Sequence, residues 1–182
     1  MGGSVQVLIG NKAELKKKHM MPTGAQFLHE LFTKNPHEPT SFNTQEEIEQ
    51  MKEYVLKELI GFKPSSEIPL IYGSSMIITV MKQIGIKLEP HEDSVSHPYK
   101  TYASLMNEFT HSILPYTFEE RVRRYSEIQT GFMWAIDKGF TVATTIAEHF
   151  NSPYIIPSNA NIAQGIIYSM VKTESPASSV AL

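Results

Sequence analysis

Three short turns in this chain combine glycine or serine with an adjoining strand or helix, and each has the makings of an anion site. Gly2-Gly3-Ser4 leads into a β-rich run. Glycines let backbone N–H groups approach a phosphate closely, and a serine hydroxyl adds a donor. Gly73-Ser74-Ser75 separates a short apolar run from a helix-type pattern, where first-turn N–H groups and the helix dipole favour negative charge. Ser158-Asn159-Ala160-Asn161 stands in the same kind of place further along. Each turn also has a plainer reading: a cloning remnant for the first, and ordinary helix N-caps for the other two.

Other chemistries find little support. The histidines at 19, 29, 37, 91, 97, 111 and 149 show no HExxH or i,i+4 ligand spacing, so no metal site is expected from local motif. His97, beside Tyr99 in a loop, is the one histidine singled out. The absence of cysteine excludes a disulfide scaffold, a Cys-ligated metal and a thiol nucleophile. No GxSxG elbow occurs, which removes the usual serine hydrolase arrangement. Lys16-Lys17-Lys18 falls on a strand and divides between its two faces, so edge protection is preferred to polyanion capture. Arg121, Arg123 and Arg124 make a second basic cluster, on a helix. No catalytic residue is assigned from these patterns.

The elements that must position these residues read as α/β with helices in excess. Val5 to Gly10 and Glu14 to Met21 form an opening hairpin around Gly10-Asn11, closed by Pro22 and Gly24. Phe27, Leu28, Leu31 and Phe32 give a short helix. Thr44 with Glu47, and Thr117 with Glu120, are capping boxes that open two more. Ile68–Tyr72 and Tyr154–Ile156 read as buried strands. Helices are expected from Ile77 to Ile84, Tyr102 to Leu114, Gly131 to Phe150 and Ile162 to Val171, with Lys87–Tyr99 a polar loop. The hairpin and the two later strands are expected to share one sheet. Four strands are few for so many helices, and the glycine loop at the start has nothing before it to hold it, so part of a domain is expected to be missing.

Composition fixes the broad class. The 182 residues carry a formal charge of −3, with 41% hydrophobic and 19% charged residues. That is a globular range, with one domain or two small ones. No apolar run approaches the roughly 18 residues of a membrane span, and no signal peptide is evident. A slightly negative balance argues against a nucleic-acid partner recruited by bulk charge. A cytoplasmic location is expected.

The order of these segments resembles the exopolyphosphatase / guanosine pentaphosphate phosphatase (Ppx/GppA) family. Gly2-Gly3-Ser4-Val5-Gln6, followed by Val7-Leu8-Ile9-Gly10, is similar to the second half of the family's Asp-Ile-Gly-Gly-Gly-Ser-Thr-Glu loop and hairpin. Met21-Pro22-Thr23-Gly24-Ala25 matches its Leu-Pro-x-Gly-Ala, Gly73-Ser74-Ser75 its Gly-Gly-Thr turn, and His97-Pro98-Tyr99 its His-Gly-Tyr. Ser158 through Gly165 resembles the serine-to-glycine approach to its last helix. The matches keep their order from Gly2 to about Met170.

The resemblance implies a ribonuclease-H-like lobe of the actin-like ATPase superfamily, with a mixed sheet. It implies residues 1–172 as the C-terminal lobe of a two-lobed phosphatase whose first lobe is absent here, and 173–182 as a flexible tail. It further implies hydrolysis of terminal phosphoanhydrides, with polyphosphate or a guanosine pentaphosphate-like anion as partner, Mg²⁺ in the intact enzyme, and a homodimer as an open question. Gly2, Gly3, Ser4, Gly73, Ser74 and Ser75 would bind phosphate. Two departures weigh against turnover by this chain. Gln6 stands where the family has Glu, and a neutral carboxamide takes no proton at pH 7. The family's Arg-Ala-Asp falls near Gln129-Thr130-Gly131, which carries neither charge. The alternative is a non-catalytic phosphate- or nucleotide-binding module with a regulatory or dimerising role.

Overall fold

The computed structural model describes residues 2–11, 14–38, 43–64, 68–74, 76–91, 97–128 and 130–160. Strand β1 (Val5–Gly10) pairs antiparallel with β2 (Leu15–Met21). Helices α1 (Ala25–Phe32) and α2 (Gln45–Glu58) follow, then β3 (Leu70–Gly73) and α3 (Ile77–Gln83). Two short strands, β4 (Glu89–Pro90) and β5 (Tyr99–Tyr102), precede α4 (Ala103–Ile113) and α5 (Phe118–Arg124). Helices α6 (Thr130–Met133) and α7 (Ile136–His149) lead to β6 (Tyr154–Ser158). The main sheet runs β3-β6-β5-β4, with β3 and β6 parallel and the other pairs antiparallel. It is the mixed α/β architecture expected.

Helix α7 organises the interior because nearly every residue in it is buried. Its threonines satisfy their own hydroxyls: Thr141, Thr144 and Thr145 donate to the carbonyls of Asp137, Phe140 and Thr141 at 2.7–2.9 Å. Phe140 and Ala143 pack with Met81, Met106, Ile113 and Ile155 on one side. Val142, Ile146 and Phe150 pack with Val7, Met21, Leu28, Met51 and Val55 on the other. One helix thus joins the sheet half of the core to the hairpin half. The second half depends on α2, whose start is set by Thr44 Oγ1 accepting from Glu47 N and the Glu47 carboxylate accepting from Thr44 N.

Several expectations need correction. The hairpin forms a separate two-stranded sheet and does not share a sheet with β3 and β6. It docks by side chains: Val5, Val7, Ile9 and Met21 point to the core, and the His19 ring meets the Glu58 carbonyl at 2.7 Å and stacks on Phe62. Its turn is longer than two residues, with Asn11 N–H donating to Glu14 O and Glu14 N–H to Asn11 Oδ1, both at 3.0 Å. The strand expected over Ile68–Tyr72 begins at Leu70. The expected loop Lys87–Tyr99 contains β4 and the start of β5. The helix expected from Gly131 to Phe150 is broken after Met133. Buried cations take the carbonyls there: Lys138 Nζ reaches Trp134 O at 2.8 Å, and Arg121 Nη1 lies 3.5 Å from Met133 O. Six strands and seven helices stand among the described residues. The expected last helix, Ile162–Val171, and the tail lie outside them.

Candidate functional site

Strands β3 and β6 are parallel neighbours, and Gly73 and Ser158 are register partners at their C-terminal ends. Both turns therefore leave the same edge of the sheet, the edge at which open α/β sheets hold their ligands. The two turns are tied together. Ser74 N–H donates to Ser158 O at 3.1 Å, and Asn159 Oδ1 accepts from Ile78 N at 3.0 Å. Asn159 is thus the cap of α3, reached from a loop 81 residues away in sequence. The α3 N-terminus has no side-chain cap from its own N-cap residue, because Met76 occupies it in the left-handed region at φ 63°. Ser158 is buried, and its hydroxyl accepts from Ala160 N at 3.2 Å.

This geometry changes how the Gly73 turn can meet an anion. Two of the helix-terminus donors expected there are already engaged: Ile77 N–H bonds to Ser74 O, and Ile78 N–H to Asn159. The turn also presents the Ser74 hydroxyl and clear space beside Gly73, where a Cβ would meet no atom within 4 Å. Ser75 lies outside the described residues.

Gly2, Gly3 and Ser4 are exposed, and the first two face the same kind of clear space. Their backbone is seated on Gly24, whose N–H donates to Gly3 O at 3.3 Å. A Cβ on Gly24 would overlap the Gly2 carbonyl oxygen and stand 2.5 Å from Gly3 C and Ser4 N. Only glycine lets the chains approach this closely. The Met-Pro-Thr-Gly-Ala segment therefore has a definite local task, which is to support the loop of Gly2–Ser4. No hydrogen bond joins Gly2–Ser4 to Gly73–Ser74 among the described residues. Gln6 is exposed on the outward face of β1.

The basic cluster of Arg121, Arg123 and Arg124 is split by the fold. Arg121 is buried; its Nη1 donates to Asp137 Oδ2 at 2.9 Å and its Nε to Tyr116 O at 3.0 Å. Asp137 is fully buried and also pairs with Lys138 Nζ at 3.2 Å. Burial alone would raise the Asp137 pKa, but Lys138 and Arg121 hold it below the ordinary carboxylate value. Burial pushes Lys138 down, against the pull of Asp137 and with the help of Arg121. Nearby His29 is also pushed down by burial, and its ring stands 5.1 Å from that of Trp134. The sequence pattern groups Arg121 with Arg123 and Arg124 in one basic cluster on a helix and does not single out Asp137 or Lys138. A charged pair inside an apolar helical stretch was the available signal.

Lys16, Lys17 and Lys18 are exposed, with Lys17 turned to the inner face and its Nζ 3.5 Å from Lys63 O. The His97 carbonyl accepts from His91 Nδ1 at 3.0 Å, which closes the β4–β5 connection. Gln129 lies outside the described residues. The described residues do not fit Mg²⁺: the turns carry no carboxylate, and no group of three or more His, Asp or Glu side chains among them is arranged to hold a metal. No described helix is long and apolar enough to cross a membrane.

No protein-family model matches the sequence, and no curated protein matches it significantly. Solved structures do share its fold. A Ppx/GppA family member from Aquifex aeolicus superposes with a TM-score of 0.78 at 21% identity, over 97% of this chain and 56% of that one. An exopolyphosphatase from Cytophaga hutchinsonii gives 0.68 at 18% identity, over 94% and 55%. An exopolyphosphatase-like protein gives 0.68 at 17% identity, over 93% and 55%. The chain therefore has the fold of Ppx/GppA structures and spans about half their length.

Proposed function

We propose that residues 1–172 act as the C-terminal lobe of an exopolyphosphatase- or guanosine pentaphosphate phosphatase-like hydrolase, forming one wall of a phosphate-binding cleft, with 173–182 as a tail. The observation that carries this reading is the fold match over 97% of the chain, in which two small-residue turns leave one edge of a parallel strand pair. In this reading Gly2, Gly3 and Ser4 offer backbone and hydroxyl donors, while Gly73, Ser74 and Ser75 offer space and hydroxyls. The substrate is a terminal phosphoanhydride of polyphosphate or a related guanosine nucleotide, and the setting is cytoplasmic. Phosphoryl transfer rests mainly on positioning and charge stabilisation, which suits donor-lined turns with no nucleophile.

Gln6 favours a second reading, in which the same turns bind phosphate or nucleotide without hydrolysis, in a regulatory or dimerising module. Both readings need the turns to bind. Tripolyphosphate titrated into the wild-type chain should shift the amides of Gly2–Ser4 and Gly73–Ser74. Gly73→Val should weaken that binding by filling the space an oxygen needs, and Gly24→Ala should weaken it by displacing Gly2–Ser4, while Lys17→Ala should leave it intact. Unchanged binding in Gly73→Val together with loss in Lys17→Ala would move the site to the lysine strand.

A further inference from the structure

A pocket of about 260 Å³ is lined by Tyr116, Glu120, Arg123 and Arg124, none of which belongs to the glycine turns. Tyr116 is held through its backbone and through its hydroxyl. Its backbone carbonyl accepts from the buried Arg121 Nε, its N–H donates to Ile113 O, and its hydroxyl accepts from Arg124 Nη1 at 2.8 Å. The Arg124 guanidinium also lies over the ring, 4.5 Å from its centroid. Arg124 is therefore held in place while most of its N–H donors stay uncommitted.

The charge balance of the pocket favours an anion. Glu120 is its one carboxylate, and that group is engaged by the capping box, with Oε2 accepting from Thr117 N at 2.8 Å. Hydrogen bonding to Thr117, helped by the nearby Arg123 charge, holds the Glu120 carboxyl below its ordinary pKa. Arg123 is exposed and has no hydrogen-bond or ion-pair partner among the described residues. Two guanidinium groups thus border a concavity with one carboxylate, which leaves a formal surplus of one positive charge. The plainer role of arginines in a last helical turn is to complement the dipole, but that role needs neither the pocket nor the stacked tyrosine.

We propose that this pocket is a second oxyanion site, which takes a phosphate-type group through Arg123 and Arg124 with Tyr116 as its rigid floor. Fork-shaped donors match a tetrahedral oxyanion that offers several acceptor oxygens. The group could belong to an inorganic phosphate chain or to a nucleotide, and the shared chemistry is the phosphate. The proposal stands apart from the glycine turns and does not depend on their function.

The test uses the full chain with tripolyphosphate and, separately, GTP, following amide shifts and affinity. Tripolyphosphate should shift Tyr116 and residues 120–124. Arg123→Gln/Arg124→Gln should reduce that affinity by about tenfold or more and leave any shifts at Gly73–Ser74 in place. Equal affinity for the two probes assigns the source to a phosphate chain. Tighter GTP binding with larger effects at Tyr116 assigns it to a nucleotide stacked at the pocket. Absence of shifts in residues 116–124 with both probes, or unchanged affinity in the double variant with its fold intact, would overturn the site.

Discussion

Asp137 is flanked inside the protein by two cations, Arg121 and Lys138, with all three side chains at most 3% exposed. Their formal sum is one net positive charge, so the carboxylate is the member the others cannot lose. Removing one partner of a buried ionic group leaves an uncompensated charge and typically costs about 3–5 kcal/mol. Asp137→Asn should therefore be strongly destabilising in a urea melt, whereas Lys138→Met, which leaves a matched Arg121–Asp137 pair, should be much milder. Equal losses from the two would show that the charge balance is not what matters. The pH dependence has a definite sign. Asp137 has a lowered folded pKa, so its stabilisation is present above the ordinary carboxylate pKa and fades as pH falls through the folded value. Lys138 is lowered too, so the unfolded chain binds more protons on the alkaline side and stability should rise there with pH, a rise that Lys138→Met should abolish.

At the scale of elements, what could be read from sequence was what is locally determined. Both capping boxes are present because Thr44–Glu47 and Thr117–Glu120 close within one helical turn. The break after Met133 was not legible, since it depends on Arg121 and Lys138 reaching those carbonyls through tertiary contact. Strands β4 and β5 were hidden for a related reason: each is short, and their pairing across Glu89 and Lys100 is set by the sheet. The cap of α3 is also non-local, because Asn159 supplies it from beyond β6. In sequence Asn159 belongs to its own turn, and nothing nearby in the chain hints at its service to the Gly73 turn. Asn159→Ala should cost about 0.5–2 kcal/mol, the usual range for an N-cap. It should also speed hydrogen exchange at Ile78 selectively. Exchange at Ile78 no faster than in wild type would mean that the bond contributes nothing to holding the two turns together.

For the whole molecule, the ordered motifs carried the fold class, yet they did not convey how the halves are joined. The hairpin shares the α7-centred core with the main sheet but pairs with none of its strands, so side-chain packing by Val7 and Met21 does the joining. Turnover depends on groups brought together at this scale. In the proposed function the turns would offer glycine backbone and the hydroxyls of Ser4 and Ser74 to phosphate oxygens. They offer no acid or base, because Gln6 holds its proton count fixed at neutral pH. The chain also spans about half the length of the solved structures that share its fold. A positioned acid or base typically contributes about 10²–10⁴ in rate, and Gln6 supplies none. The purified 182-residue chain should therefore bind phosphate chains without hydrolysing them. Phosphate release from long-chain polyphosphate, measured with Mg²⁺ present, should stay at the level of a protein-free control. Robust release that disappears in Ser4→Ala would show that the Gly2–Ser4 loop completes a catalytic centre unaided, and that Gln6 is no obstacle to it.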